Sequence, residues 1–299
     1  MDPTIQEFLD HMLYQRRSSP LTIKTYATDL RLFTEFLNQN NLGDPAQATP
    51  KNIRRWLVSL LDSGDQPRSV NRKIATLRSY YRFLCSVEKI KINPCRAIDS
   101  LKTPHKLPVF LHQEEASLML DPANFPDDFK GKRDRAIIQI LYLTGIRVSE
   151  LIGLTVANVD LSLDQLVVLG KRNKQRIIPL TPALKSILIS YLHLREQEFG
   201  VAKPDDRLFL SQNGDKPLYE LMVYRIVAAH IETVANTAMK GPHVMRHTFA
   251  TALLNNGADL MAIKELLGHS SLAATQVYAH SDFEQLNKIY KLAHPRADN

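Results

Sequence analysis

Two cysteines in 299 residues, Cys85 and Cys95, are too few to staple a protein of this size. They read as the reduced thiols of a cytoplasmic protein. Long hydrophobic runs are missing as well: no stretch approaches the ~18 uninterrupted apolar residues of a membrane helix, so no membrane contact is expected. Met1-Asp2-Pro3-Thr4 has no basic segment leading into an apolar one, so a signal peptide is not expected either. Repeats and low-complexity tracts are absent, and so is any glycine-rich nucleotide-binding loop. The rest is ordinary globular composition, 44% hydrophobic and 23% charged, which excludes wholesale disorder and fibrous repeats. The length allows two ordinary domains or one large one.

Charge of one sign is concentrated at one end. The net charge is +7, from 38 Lys+Arg against 31 Asp+Glu. Residues 1–106 hold 17 basic and 10 acidic side chains, and residues 107–299 hold 21 of each. Such an asymmetry suggests a polyanion-binding module joined to a segment with another task. A basic domain that is merely soluble would give the same count.

The first 90 residues read as helices separated by short breaks. Leu9, Met12 and Leu13 have helical spacing, and Ser18-Ser19-Pro20 ends that helix. A second helix runs from about Leu21 to Asn38, with Tyr26, Leu30, Phe33 and Leu37 on one stripe. Thr49-Pro50 starts a third that reaches about Asp62, and Pro67 opens a fourth that reaches about Val87. With no strand signal, this region is expected to be an all-helical bundle. From Asn93-Pro94 to Pro108 the pattern breaks up, as in an interdomain linker without regular structure. The remainder is mostly helical apart from Gln165–Leu169 and Gln175–Pro179, two β-prone runs around a polar turn, which predict a hairpin.

The fourth helix carries Arg68, Arg72, Arg78 and Arg82. At about 100° per residue these fill one stripe ~120° wide, opposite Val70, Ile74, Leu77, Tyr81 and Leu84. No Asp or Glu lies between Arg68 and Val87, so nothing within the helix can pair these charges, and Arg68/Arg72 and Arg78/Arg82 repel at i,i+4. The face suits an external polyanion such as the phosphate backbone of a nucleic acid. Pairing with acids of a neighbouring helix is the plainer alternative.

Three patches carry chemistry. In Thr144-Gly-Ile-Arg147-Val-Ser-Glu150-Leu151, Gly145 breaks an apolar helix, and Glu150 stands close enough to hold Arg147. Alone this could be a structural ion pair. In Gly241-Pro-His243-Val-Met-Arg246-His247, His243 and Arg246 share a helix face and can converge on one anionic oxygen cluster. The adjacent cation and the spacing both argue against a zinc site. The third patch is Leu267-Gly-His269, followed nine residues later by Tyr278 in Gln276-Val-Tyr278-Ala-His280. A tyrosine in an apolar helical stretch is most often core.

Together the patches resemble the tyrosine recombinase/integrase family, and most closely its Xer branch. That family's arginine in T-G-x-R-x-S-E-L, hairpin lysine, H-x-x-R pair, L-G-H and tyrosine match Arg147, Lys171, His243 with Arg246, His269 and Tyr278. Gly170-Lys-Arg-Asn-Lys-Gln-Arg before Ile-Ile-Pro-Leu and the tail Tyr290-Lys-Leu-Ala-His-Pro-Arg296-Ala are similar to Xer segments too, so the likeness spans nearly the whole chain. Met245 stands where the family mostly has leucine, a swap that conserves bulk.

The resemblance implies a mostly α fold: residues 1–92 a four-helix SAM-like DNA-binding domain, 93–107 a linker, and 108–299 a mainly α catalytic domain with a small β-hairpin or sheet, the two closing as a C-shaped clamp on duplex DNA. It implies strand exchange through a 3′-phosphotyrosyl intermediate, in chromosome dimer resolution and segregation. Tyr278 would be the nucleophile, Arg147 and Arg246 the oxygen clamp, and Lys171 the acid for the leaving 5′-oxygen. His243 and His269 would donate hydrogen bonds or take the phenol proton, with Glu150 supporting. No metal or other cofactor is expected, since arginines and lysine do the charge work. The implied partners are a duplex recombination site, a like recombinase in a homo- or hetero-tetramer seated through a helix near Asp282–Leu292, and a DNA translocase as a possible activator. A mobile-element integrase on the same scaffold is the chief competitor. A type IB topoisomerase-like enzyme, a non-catalytic DNA-binding regulator and a metal-dependent nuclease are more distant.

Overall fold

The computed structural model describes residues 2–103, 109–170, 174–211, 213–214, 216–237, 239–259, 261, 263 and 266–267. The chain divides into two compact units, Met1–Lys106 and Leu107–Asn299.

Four helices build the first unit: α1 (Pro3–Asp10), α2 (Pro20–Gln39), α3 (Pro50–Asp62) and α4 (Pro67–Ser86). Three of them start in one way. Asp2, Ser19 and Thr49 each accept a hydrogen bond from a first-turn backbone N–H, and a proline follows at the first helical position. The side chain satisfies a donor that the helix cannot, and the ring fixes φ where no N–H is needed. A π-helical turn, His11–Gln15, extends α1 and leaves Leu13 exposed where regular spacing had placed it on the inner stripe. The core gathers Phe8, Leu30, Phe33, Leu37, Ile53 and Trp56 with the predicted α4 stripe of Val70, Ile74, Leu77, Tyr81 and Leu84.

The segment after α4 departs from the expected unstructured linker. Pro94–Ala97 forms a 3₁₀ turn capped by Asn93, and Cys95 and Ile98 are buried in the helical core. Asn71 exchanges two hydrogen bonds with Leu101 (Nδ2 to its carbonyl, 2.9 Å; from its N–H to Oδ1, 2.7 Å), which substitutes for secondary-structure pairing. Two apolar side chains, too far from any periodic run to be read as core, are what dock this stretch.

The second unit contains α5 (Gln113–Met119), α6 (Phe129–Thr144), α7 (Val148–Gly153), a three-stranded antiparallel sheet, α8 (Pro182–Phe199), α9 (Glu220–Val234) and α10 (Pro242–Asn255). The expected hairpin is present as β2 (Gln165–Leu169) and β3 (Gln175–Pro179), paired Leu166↔Ile178 and Val168↔Arg176. A two-residue β1, Val159–Asp160, adds an edge that periodicity could not reveal. Helix α6 is nearly all buried, with Ile137, Ile138, Ile140 and Leu141 sealed in the core. It is the central post against which α8 and α10 pack. No helix among the described residues is long and apolar enough to cross a membrane.

Candidate active site

Helix α6 ends where Gly145 takes φ +59°, a left-handed cap that turns the chain sharply towards α7. The turn is also tight: a Cβ at Gly145 would lie 2.5 Å from Phe249 Cδ1 and 2.9 Å from Leu267 Cδ2. Arg147 follows at the N-cap of α7, and Glu150 reaches back to it twice. Glu150 Oε2 accepts from the Arg147 backbone N–H (2.9 Å) and Oε1 from Arg147 Nη1 (2.9 Å). The i,i+3 pairing expected from sequence is therefore formed.

A third partner enters from β3. Arg176 lies on the inward register of that strand with Ile178, and its guanidinium grips the same carboxylate: Nη2 to Oε2 at 2.8 Å and Nη1 to Oε1 at 3.1 Å. Its Nε donates to the Leu266 carbonyl at 3.0 Å. Side-chain exposure falls across the triad, from 35% for Arg147 to 15% for Arg176 and 4% for Glu150. Burial pushes the Glu150 carboxyl up. Hydrogen bonds from Arg176 and from Arg147 outweigh it and hold the group below the usual glutamate range.

Helix α10 brings the second arginine. Arg246 Nη1 donates to the Gly145 carbonyl (2.5 Å) and Nη2 to the Leu267 carbonyl (2.6 Å). Burial first, then the nearby Arg147 cation, draw its pKa down to about 10, which leaves it protonated at neutral pH. His243 sits exposed in the first turn of α10, one turn before Arg246. Next to Arg246, His247 is lowered by burial and then by the charges of His243 and Arg246. Met245 points the other way, fully buried.

Arg147, Glu150 and Arg246 thus meet in one cluster, with His243 on the same helix as Arg246. Lys171, His269 and Tyr278 lie outside the described residues, as does the segment Asp282–Leu292. The base of the hairpin that carries Lys171 is closed by Gly170 N–H donating to the Lys174 carbonyl (2.7 Å). Arg176 is the residue that sequence reasoning did not single out. The available signal was a cation at an inward β position, which requires a buried acid.

The four arginines of α4 belong to the other unit. Arg72 is committed to Asp29 of α2 (Nη1 to Oδ2, 2.6 Å), with 49% of its own side chain exposed and 1% of its partner's. Arg78 donates to the Ile98 carbonyl (2.6 Å) and to Ser100 Oγ (3.2 Å). Arg68 and Arg82 are exposed. Pairing across helices therefore accounts for one of the four, and a backbone clasp for another.

Residues 109–285 match the model of the phage integrase family, and residues 5–88 that of the phage integrase N-terminal SAM-like domain. Tyrosine recombinase XerC of Pelobacter propionicus is 39% identical over 98% of this chain and 95% of its own length. The XerC of Chlorobaculum tepidum is 37% identical over 97% and 94%. The structure of XerH site-specific recombinase bound to palindromic difH substrate, a post-cleavage complex, superposes with a TM-score of 0.70. It covers 96% of this chain and 84% of that one at 24% identity, a likeness of fold. The mostly helical architecture and the small antiparallel sheet agree with that assignment, and the chain belongs to the phage integrase family as a tyrosine recombinase of the Xer branch.

Proposed function

We propose that the chain cuts and rejoins duplex DNA at a specific site through a 3′-phosphotyrosyl intermediate, and that it acts in the cytoplasm in chromosome dimer resolution. The observation that carries this reading is the convergence of Arg147 and Arg246, distant in sequence, on one cluster around Glu150. Planar guanidiniums with several donors match the nonbridging oxygens of a phosphodiester as its transition state gathers charge there.

In the forward step the Tyr278 phenol oxygen attacks the scissile phosphorus. A P–O bond to tyrosine forms as the P–O5′ bond breaks. The phenol proton passes to a histidine, His243 or His269, and Lys171 protonates the departing 5′-oxygen. The reverse step, with a 5′-hydroxyl from another strand, rejoins the backbone. Because the aryl phosphodiester retains the bond energy, no nucleotide is hydrolysed. Glu150 fixes the Arg147 fork, and Arg68, Arg72, Arg78 and Arg82 meet the DNA backbone from the N-terminal unit. The working assembly is a homo- or hetero-tetramer with one protomer per half-site, and a DNA translocase is a candidate activator.

Tyr278→Phe removes one hydroxyl. It should abolish the protein–DNA adduct on a nicked chromosome-dimer-resolution-type duplex while leaving mobility-shift binding in place, and EDTA should not inhibit the wild type. An adduct surviving the substitution on a denaturing gel overturns the assignment.

A further inference from the structure

Arg176 makes three hydrogen bonds in the cluster. Two go to Glu150, whose other bonds go to Arg147, and the third goes to the Leu266 carbonyl. The next carbonyl along, that of Leu267, accepts from Arg246. The backbone of residues 266–267 and the Glu150 carboxylate are thus shared supports: each holds one guanidinium proposed to clamp phosphate, and Arg176 is bonded to both supports. We propose that Arg176 is a positioning residue, which sets the angle and spacing of the Arg147 fork relative to Arg246 without itself meeting the DNA. The inference rests on the recombinase reading above and deepens it.

The physical argument is one of constraint. A carboxylate held by Arg147 alone could rotate about its side-chain torsions and carry that guanidinium with it. Bidentate pairing on the opposite side fixes the carboxylate plane, and the Leu266 bond fixes Arg176 in turn. Lysine, a point donor without the planar fork, cannot reproduce this arrangement. Displacement of a clamp by about 1 Å is enough to slow an oriented reaction by roughly 10²-fold.

The test uses the full-length chain and a nicked duplex selected from a randomised pool by covalent capture on the wild-type protein. That duplex is then made in two forms, with a phosphodiester or an uncharged methylphosphonate at the scissile position. Arg176→Gln should slow adduct formation about 10²-fold on the phosphodiester. On the methylphosphonate its rate should approach the wild-type rate, because the oxygen charge that needs an aligned Arg147 is gone. Arg176→Lys should fall between, and it carries the same comparison if Arg176→Gln does not melt cooperatively. Equal slowing on both substrates assigns Arg176 a merely structural role and overturns the proposal, as does no slowing at all. Failure of the wild type to capture any duplex would instead overturn the recombinase reading.

Discussion

The arginines of the two units are held differently. On α4, Arg68 and Arg82 are exposed, the Arg72 side chain is half in water even while paired to Asp29, and Arg78 alone is clasped by a backbone carbonyl. In the second unit the guanidiniums of Arg176 and Arg246 are each fixed through two or more hydrogen bonds to a carboxylate or to backbone carbonyls, and Arg147 is tied to Glu150 through both its side chain and its backbone N–H, all three partly buried. Exposed cations suit a backbone that must be gripped, tracked and released. Buried, multiply bonded ones suit a single phosphate that must be met in one geometry.

If that contrast is right, the largest loss should come from the buried side. Glu150→Ala leaves two guanidiniums without their shared acid and should lower stability by ~3–5 kcal/mol. Urea unfolding would register this as a lower midpoint at unchanged slope. The pH dependence has a definite sign. Because the folded Glu150 carboxyl is held below its ordinary value, its contribution is complete above that value and is lost as pH falls through the folded one. The wild-type advantage over Glu150→Gln should therefore shrink in acid. An advantage unchanged through that range would contradict the pairing.

A smaller effect compares one glycine from each unit. Gly43 and Gly145 both have positive φ, but a Cβ meets nothing within 4 Å at Gly43 and meets Phe249 at 2.5 Å at Gly145. Gly43→Ala should cost ~1–2 kcal/mol for the backbone alone, and Gly145→Ala measurably more. Equal melting shifts would show that the turn before Arg147 can relax.

The smallest effects concern α4 itself. Arg82→Ala should leave stability within ~0.5 kcal/mol and lower the salt slope of DNA binding by about 1. Arg72→Ala should also destabilise the fold, because it leaves the buried Asp29 carboxylate without its counter-charge, held only by the Thr76 hydroxyl at Oδ2, while Oδ1 has no hydrogen-bond partner among the described residues. Identical stability for the two variants would mean that the Asp29 pair contributes nothing.

What could be read in advance follows from distance along the chain. The α4 stripe, the Pro-capped helix starts, the β2–β3 hairpin and the Arg147–Glu150 contact all depend on residues a few positions apart, and periodicity and spacing report those. Asp29–Arg72, Asn71–Leu101 and Glu150–Arg176 are tertiary pairings. In each a lone polar residue looks unremarkable until folding supplies its partner. The same limit hid β1, which exists only because Val159 and Asp160 lie beside β2. Arg147 and Arg246 stood out because their motifs are local, whereas Arg176, whose contacts are made only on folding, did not.

The carbonyls of Gly145 and Leu267 aim Arg246 with partial charges that do not titrate. Arg147, by contrast, is steadied by a full negative charge. Acid would therefore loosen the aim of Arg147 first, as Glu150 takes up a proton, while the carbonyl supports of Arg246 stay as they are. The two guanidiniums would lose their alignment one after the other and not together.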